Sequence, residues 1–212
     1  MRTKTLLLTA ALGALAASTA SAQVYSVNAV GYINVSVKPG FNLIANQLNQ
    51  GTGNNTVDKI FAGVPDGTVL YKFVNGTYVI DGYDSASGGW DDGTLTLKPG
   101  EGIWVRNPGA AAFTVTFVGE VPQGSLTNPI PVGFSIVSSI VPQSADLDAG
   151  LKYPVADGDS FYFFRNGAYV IYGYDSTSGG WDPSAPVPAV GESFWARSVA
   201  AKNWVRDFSV NQ

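Results

Sequence analysis

Beyond its first thirty residues the chain alternates apolar and polar positions in short runs, each closed by glycine, proline or asparagine. Tyr32-Ile-Asn-Val-Ser-Val37 has the period of two of a half-buried strand and stops at Pro39-Gly40. Phe41-Asn-Leu-Ile-Ala45 reads as a second strand, and Gln50 to Asn55 as a Gly/Asn loop. Thr56 is placed as the N-cap of one or two helical turns, with Val57, Ile60 and Phe61 on a single face. Further strands are expected at Leu95–Leu97, Ile103–Arg106 and Phe113–Phe117, with the turn Pro99-Gly-Glu-Gly102 between the first two. Tyr83 to Gly93 reads as a long loop.

One stretch of this pattern occurs twice. Tyr71 to Asp91 returns as Tyr162 to Asp182 at an offset of 91, with 16 of the 21 positions identical. Around it the order of elements repeats. Leu126–Ile130 matches the first strand, Gly133–Val137 matches Gly40–Ile44, and Trp195-Ala-Arg197 matches Trp104-Val-Arg106. Trp204 and Phe208 match Phe113 and Phe117, and Asp146 to Lys152 replaces the short helix. The expected fold is all-β: two tandem, internally duplicated antiparallel modules, sandwich- or barrel-like, with one short helix in the first. The modules are placed at residues 23–121 and 122–212. Val121-Pro-Gln-Gly124 between them is too short for a flexible linker, so the modules should pack together.

Each copy holds a hairpin. Asn75-Gly76 and Asn166-Gly167 suit the two positive φ angles of a type I′ turn. A two-residue loop then pairs Phe73 with Tyr78, Tyr71 with Ile80 and Lys72 with Val79. Residues that pair share a face. One face is Tyr71, Phe73, Tyr78 and Ile80, and its copy, Tyr162, Phe164, Tyr169 and Ile171, is unchanged. The other face varies: Lys72 becomes Phe163, Val74 becomes Arg165, Thr77 becomes Ala168 and Asp81 becomes Tyr172. The simplest expectation puts the unchanged face in each module's own core and the variable face toward solvent or a partner. Phe161, Phe163 and Tyr172 then form an aromatic patch needing a cover, expected from module one or another copy of the chain before a glycan.

The first residues change the picture of the whole chain. Arg2 and Lys4 precede an apolar run from Leu6 to about Ala17, and Ala20-Ser21-Ala22 is a small-residue cleavage site. Residues 1–22 therefore read as a signal peptide, and the expected mature chain is exported, with a periplasmic, cell-surface or extracellular destination. The run is too short to span a membrane, and no membrane span is expected after cleavage. Losing Arg2 and Lys4 leaves 10 basic against 16 acidic residues, net −6. That balance argues against nucleic acid and anionic membrane as partners.

Cysteine and histidine are both absent. Thiol chemistry, thiolate metal sites and the commonest general base are excluded, and no cofactor is expected. Only three glutamates exist, Glu101, Glu120 and Glu192, and two of them are equivalent turn positions. A glycosidase needs two carboxylates across a cleft, so catalysis is not expected.

The best candidate for ligand binding is the repeated loop: Tyr83, Asp84, Trp90 and Asp91, with Tyr174, Asp175, Trp181 and Asp182 in the second copy. Rings beside carboxylates suit stacking on a sugar face while accepting its hydroxyl hydrogens. Asp84, Asp91 and Asp92 also offer oxygens of the kind Ca²⁺ takes, although Pro183 stands where Asp92 stands in the first copy. The plainer reading is a compact loop packed by its own Tyr83 and Trp90 and closed by Asx turns at Asp84. Glu101 with Arg106, and Glu192 with Arg197, are candidate ion pairs that would need the adjoining turn to bring them together.

Gly40-Phe-Asn-Leu-Ile44 followed by Pro99-Gly-Glu-Gly-Ile-Trp-Val105 resembles a repeat of exported bacterial surface proteins, in which a G-W-N-L-I strand opens and a P-G-x-G-Y-W-V strand closes. Val24 to Asn34 resembles the mature start of small secreted proteins of the Verrucomicrobia and their relatives. The second copy departs from the repeat at Phe134-Ser-Ile-Val137 and Val190-Gly-Glu-Ser193. The resemblance implies an exported, non-catalytic β module and assigns no site residue. The expected role is structural or adhesive, in the cell envelope or extracellular matrix, through self-association or contact with other envelope proteins. The alternative is carbohydrate binding by the aromatic loops.

Overall fold

A computed structural model describes residues 29–51 and 55–210. The expected signal peptide and cleavage site lie outside the described residues. Module one opens with β1 (Val30–Val37), which turns at Lys38–Gly40 into β2 (Gly40–Ile44). The short helix α1 (Val57–Ile60) follows, then β3 (Val69–Val74), β4 (Thr77–Asp84), β5 (Gly89–Trp90), β6 (Ile103–Asn107) and β7 (Phe113–Glu120). β1 and β7 form a two-stranded ribbon, and the others a five-stranded antiparallel sheet in the order β2-β6-β3-β4-β5.

Module two repeats this plan. β8 (Gly124–Ile130) pairs with β14 (Lys202–Phe208). β9 (Gly133–Val137), β10 (Ser160–Arg165), β11 (Ala168–Asp175), β12 (Gly180–Asp182) and β13 (Phe194–Ser198) form a sheet in the order β12-β11-β10-β13-β9. Strand for strand this is the first module's order, so each module is a sandwich of a ribbon on a five-stranded sheet. Each has a core of its own. Ile33, Phe61, Leu70, Ile103 and Phe117 are among the buried residues of the first, and Leu147, Phe161, Phe163, Phe194 and Trp204 of the second.

Local chemistry explains the regular parts. Asn75 and Gly76 take φ of 50° and 84°, and Asn166 and Gly167 take 53° and 81°, the left-handed pair a type I′ hairpin needs. The register follows: Tyr71 opposes Ile80, Lys72 opposes Val79, and Phe73 opposes Tyr78. α1 buries Val57 and Ile60, with Phe61 just beyond it, as their spacing requires. Thr56 sits at its N-cap position, but its hydroxyl turns to the Asp58 carboxylate rather than to a backbone N–H. Leu95–Leu97 does not form a strand. It makes a single bridge, Thr56 to Thr96, because Leu97 turns in to fill the core.

The hairpin faces are the reverse of the sequence expectation. Leu70 and Asp81 are fully buried inside module one, and Phe161 and Phe163 inside module two, with Tyr172 packed on that core. The aromatic patch assigned to an interface is therefore covered by its own module. Tyr78, Ile80, Tyr169 and Ile171 instead lie outside, 46–60% exposed. The reason is symmetry. Each core is filled by a different set of side chains, so the inward faces diverged together with them. The outward faces meet each other across an approximate two-fold axis, where one set of residues must serve both sides.

That axis is visible in the backbone. Ala45 N–H donates to Gly191 C=O at 2.9 Å, and its counterpart Ser138 N–H donates to Gly100 C=O at 2.9 Å. The bridges Ile44–Glu192 and Glu101–Val137 are related in the same way. Gly102 and its equivalent Ser193 meet on the axis. A Cβ at Gly102 would lie 2.5 Å from Ile136 Cγ2 and closer still to the Ser193 Cβ.

Candidate functional site

The repeated loops are an extension of the hairpins. Tyr83 pairs with Trp90 and Tyr174 with Trp181, and Ser85–Ser87 and Ser176–Ser178 are single 3₁₀ turns between the strands. Three of the four carboxylates are used within the chain. Asp84 accepts from the Ala86 N–H and the Ser87 hydroxyl, both at 2.9 Å, and these bonds hold its carboxyl below the usual range. Asp175 accepts from the Thr177 N–H and the Thr177 and Ser178 hydroxyls, which lower it likewise. Asp91 accepts from the Gly82 N–H at 3.2 Å. Asp182 ends β12 opposite Gly173.

The loop aromatics turn inward. The Trp90 ring meets Phe61 and Tyr83, and the Trp181 ring meets Phe161 and Tyr174. Trp181 Nε1 donates to Asp148 at 2.8 Å. The four rings are thus brought together two by two on the inner side of the loops, while Asp84, Asp91, Asp175 and Asp182 stay exposed. Among the described residues no group of three or more acidic side chains is arranged to hold a metal ion.

The turn glutamates take cations other than those expected. Glu101 binds Lys72 at 2.9 Å, and Glu192 binds Arg165 through Nε at 2.6 Å and Nη2 at 2.7 Å. Lys72 and Arg165 are not equivalent positions. Each module supplies a cation to the equivalent carboxylate from a different site on the inward face of β3 or β10. Arg106 and Arg197 lie on the other side of a continuous strand and do not reach.

What the fold does assemble is an aromatic surface. Phe41 on β2, Trp104 on β6, Tyr71 and Phe73 on β3, and Tyr78 on β4 share the outward face of the first sheet. Phe134, Trp195, Tyr162, Phe164 and Tyr169 share that of the second. The ten rings close a circuit: Phe41, Tyr71, Tyr78, Phe73, Trp195, Phe134, Tyr162, Tyr169, Phe164, Trp104 and back to Phe41. Successive centroids lie 4.8–6.3 Å apart. The circuit crosses between modules twice, Phe73 on Trp195 at 4.8 Å and Phe164 on Trp104 at 4.9 Å, mostly edge to face as ring quadrupoles prefer. Trp104 of the circuit is buried together with Leu43 and Ile136, and Tyr71, Phe73, Phe164 and Trp195 pack against these three.

The two sheets do not close over the circuit completely. One cleft of about 470 Å³ is lined by Phe41, Tyr71, Tyr78, Ile80, Trp104, Phe164 and Tyr169. Its counterpart, of about 490 Å³, is lined by Phe134, Tyr162, Tyr169, Ile171, Trp195 and Phe73. The pairs Phe41/Phe134, Tyr71/Tyr162, Tyr78/Tyr169, Ile80/Ile171, Trp104/Trp195 and Phe164/Phe73 are all identical in type. Among the described residues, the side-chain polar groups of these walls are tyrosine hydroxyls and indole N–H groups. Burial pushes the Tyr78 hydroxyl above its ordinary value, and the neighbouring Tyr169 adds to that.

A larger cleft of about 880 Å³, lined by both apolar and charged residues, adjoins the first and shares Phe41 and Phe164 with it. Its cations are engaged, Lys38 with Asn166 Oδ1 at 3.3 Å and Arg165 with Glu192. Sequence reasoning singled out the unchanged residues of the aromatic face but assigned them to the cores. The signal that identifies them is their constancy between copies whose cores differ. Compared with family models, curated proteins and solved structures, the chain matches none.

Proposed function

We propose that this chain is an exported, non-catalytic β-repeat protein with a structural or adhesive role in the cell envelope or extracellular matrix, docking through its outward aromatic face. One observation carries the reading: two equivalent, uncharged clefts lined by identical aromatic and isoleucine side chains. Contiguous exposed apolar surface of that extent is a mark of contact sites on folded proteins. The disposition of the carboxylates supports a non-catalytic role, since Glu101, Glu192, Asp84 and Asp175 are each committed to turns or ion pairs. Carbohydrate binding by the loops is less well supported, because their rings pack toward the cores and Asp84, Asp91 and Asp175 already have partners.

The test is cosedimentation of the purified mature chain with washed envelope fragments of the producing cell, beside a glycan array. Wild-type protein is expected in the pellet, and a Tyr78→Ser/Tyr169→Ser variant in the supernatant, with no array signal for either. A wild-type chain that stays in the supernatant, or that binds a glycan through Trp90 or Trp181, overturns the reading.

A further inference from the structure

We infer that the partner of the aromatic face is a second copy of this chain, so that the face is a contact between protomers. The inference rests on the docking role proposed above and names the occupant. Three features of the surface argue for it. The first is area. Phe41, Tyr78, Ile80, Phe134, Tyr169 and Ile171 are each 46–60% exposed. At roughly 200 Å² for a large side chain, they leave roughly 600 Å² of apolar surface open on each chain. Two copies joined face to face would bury roughly 1,200 Å² from these residues alone, the lower bound of stable, specific interfaces.

The second feature is symmetry. An isologous contact needs a patch that is complementary to itself, because each residue must meet the same surface it presents. This face already does so once within the chain, where Phe73 packs on Trp195 and Phe164 on Trp104. The open clefts continue that interface outward with the same residue types, and Tyr169 lines both of them. A surface that recognises its own copy intramolecularly presents the same chemistry to another chain.

The third feature is polarity. The described side chains of the walls carry no charge, and their hydrogen-bonding groups are limited to tyrosine hydroxyls and indole N–H groups, whereas a charged glycan or an extended polar peptide would need more. Rings and isoleucines pair with rings and isoleucines without burying a charge.

The experiment is sedimentation velocity of the purified mature chain across a concentration series, with the variant Ile80→Lys/Ile171→Lys. These two positions are the most exposed of the face, and lysine there leaves the cores and the ring circuit untouched. Wild type is expected to associate, and the variant to raise the Kd at least roughly 100-fold by setting like charges against each other. The thermal midpoint of the dilute variant should equal that of dilute wild type, which separates lost association from lost folding. A second variant, Ile80→Ser/Ile171→Ser, gives a milder weakening if the contact is the face itself. Wild-type protein that stays monomeric at the highest concentration overturns the inference, as does association that survives both variants. If the monomeric chain still pellets with envelope fragments and the lysine variant does not, the docking role stands and the second copy is excluded. If neither association nor pelleting occurs, both fall.

Discussion

Truncating one aromatic from each face of the module-two hairpin decides which face is core. Phe163 is fully buried, stacked on Phe194 at 4.6 Å with an interplanar angle of 24°, edge-on to Tyr172 at 5.5 Å, and covered by the Arg165 guanidinium at 4.6 Å. Phe163→Ala leaves a cavity walled by rigid rings, so the loss should be about 3–5 kcal/mol. Tyr169 keeps 48% of its surface in solvent. Its truncation removes about half the burial of a large ring, roughly 1.5–2 kcal/mol. With a urea dependence of about 2 kcal/mol per molar, the midpoint should fall by about 2 M for Phe163→Ala and by under about 1 M for Tyr169→Ala. Equilibrium urea unfolding, followed by tryptophan fluorescence and by circular dichroism, reads both shifts. A Tyr169→Ala loss equal to or greater than that of Phe163→Ala would refute the assignment of faces and the two-fold argument built on it. Nor can the two copies exchange residues here. Lys72 is tolerated because Glu101 and the Thr96 carbonyl receive it at 2.9 and 2.7 Å. In module two Glu192 is already held by Arg165, so Phe163→Lys would bury an unpaired cation.

Two further outcomes are expected. Gly102→Ala forces a Cβ into Ser193 and Ile136 across the two-fold axis and should cost about 1–3 kcal/mol by overpacking; adding Ser193→Gly should restore part of it, and a double variant no more stable than Gly102→Ala in urea unfolding would contradict the close approach. Asp81 gives a pH dependence of definite sign. Its Oδ1 accepts from the Asp92 N–H at 2.9 Å, its Oδ2 has no partner, and burial, with the Asp92 and Asp91 carboxylates, raises its pKa. The folded state therefore holds this proton more tightly than the unfolded chain. The stabilisation is complete below the ordinary value of 3.8 and is lost as pH rises through the raised one. Asp81→Asn should flatten this component, gaining stability relative to wild type as the buffer goes from about pH 4 to about pH 7. A constant difference between the two proteins over that range would show that Asp81 does not titrate as argued.

Much of what depends on neighbours in the chain was legible in the sequence, although Leu95–Leu97, read as a strand, is not one. The Asn-Gly turns dictate a type I′ geometry whose twist matches the strands, and with the turn the register of every cross-strand pair follows. The 91-residue repeat is carried by identical residues, and it forces two modules of one plan. The inward triad of α1 and the turns at Pro39-Gly40 and Pro99-Gly-Glu-Gly102 are local in the same sense.

The tertiary structure alone decided which face of the hairpin looks inward. Alternation tells the two faces of a strand apart only when one of them is polar. Here both carry large apolar groups: Leu70 opposes no solvent, Tyr71 and Phe73 meet the other module, and in the second copy Phe161 and Phe163 stand beside Tyr162 and Phe164. A strand covered on both sides has no polar face to betray its orientation. The cation partners of Glu101 and Glu192 were hidden for a related reason, since Lys72 and Arg165 lie 29 and 27 residues away and at non-equivalent positions. Only the folded sheet brings them to equivalent carboxylates. The aromatic circuit is likewise a property of two sheets meeting about an axis, and no single segment of the chain contains it.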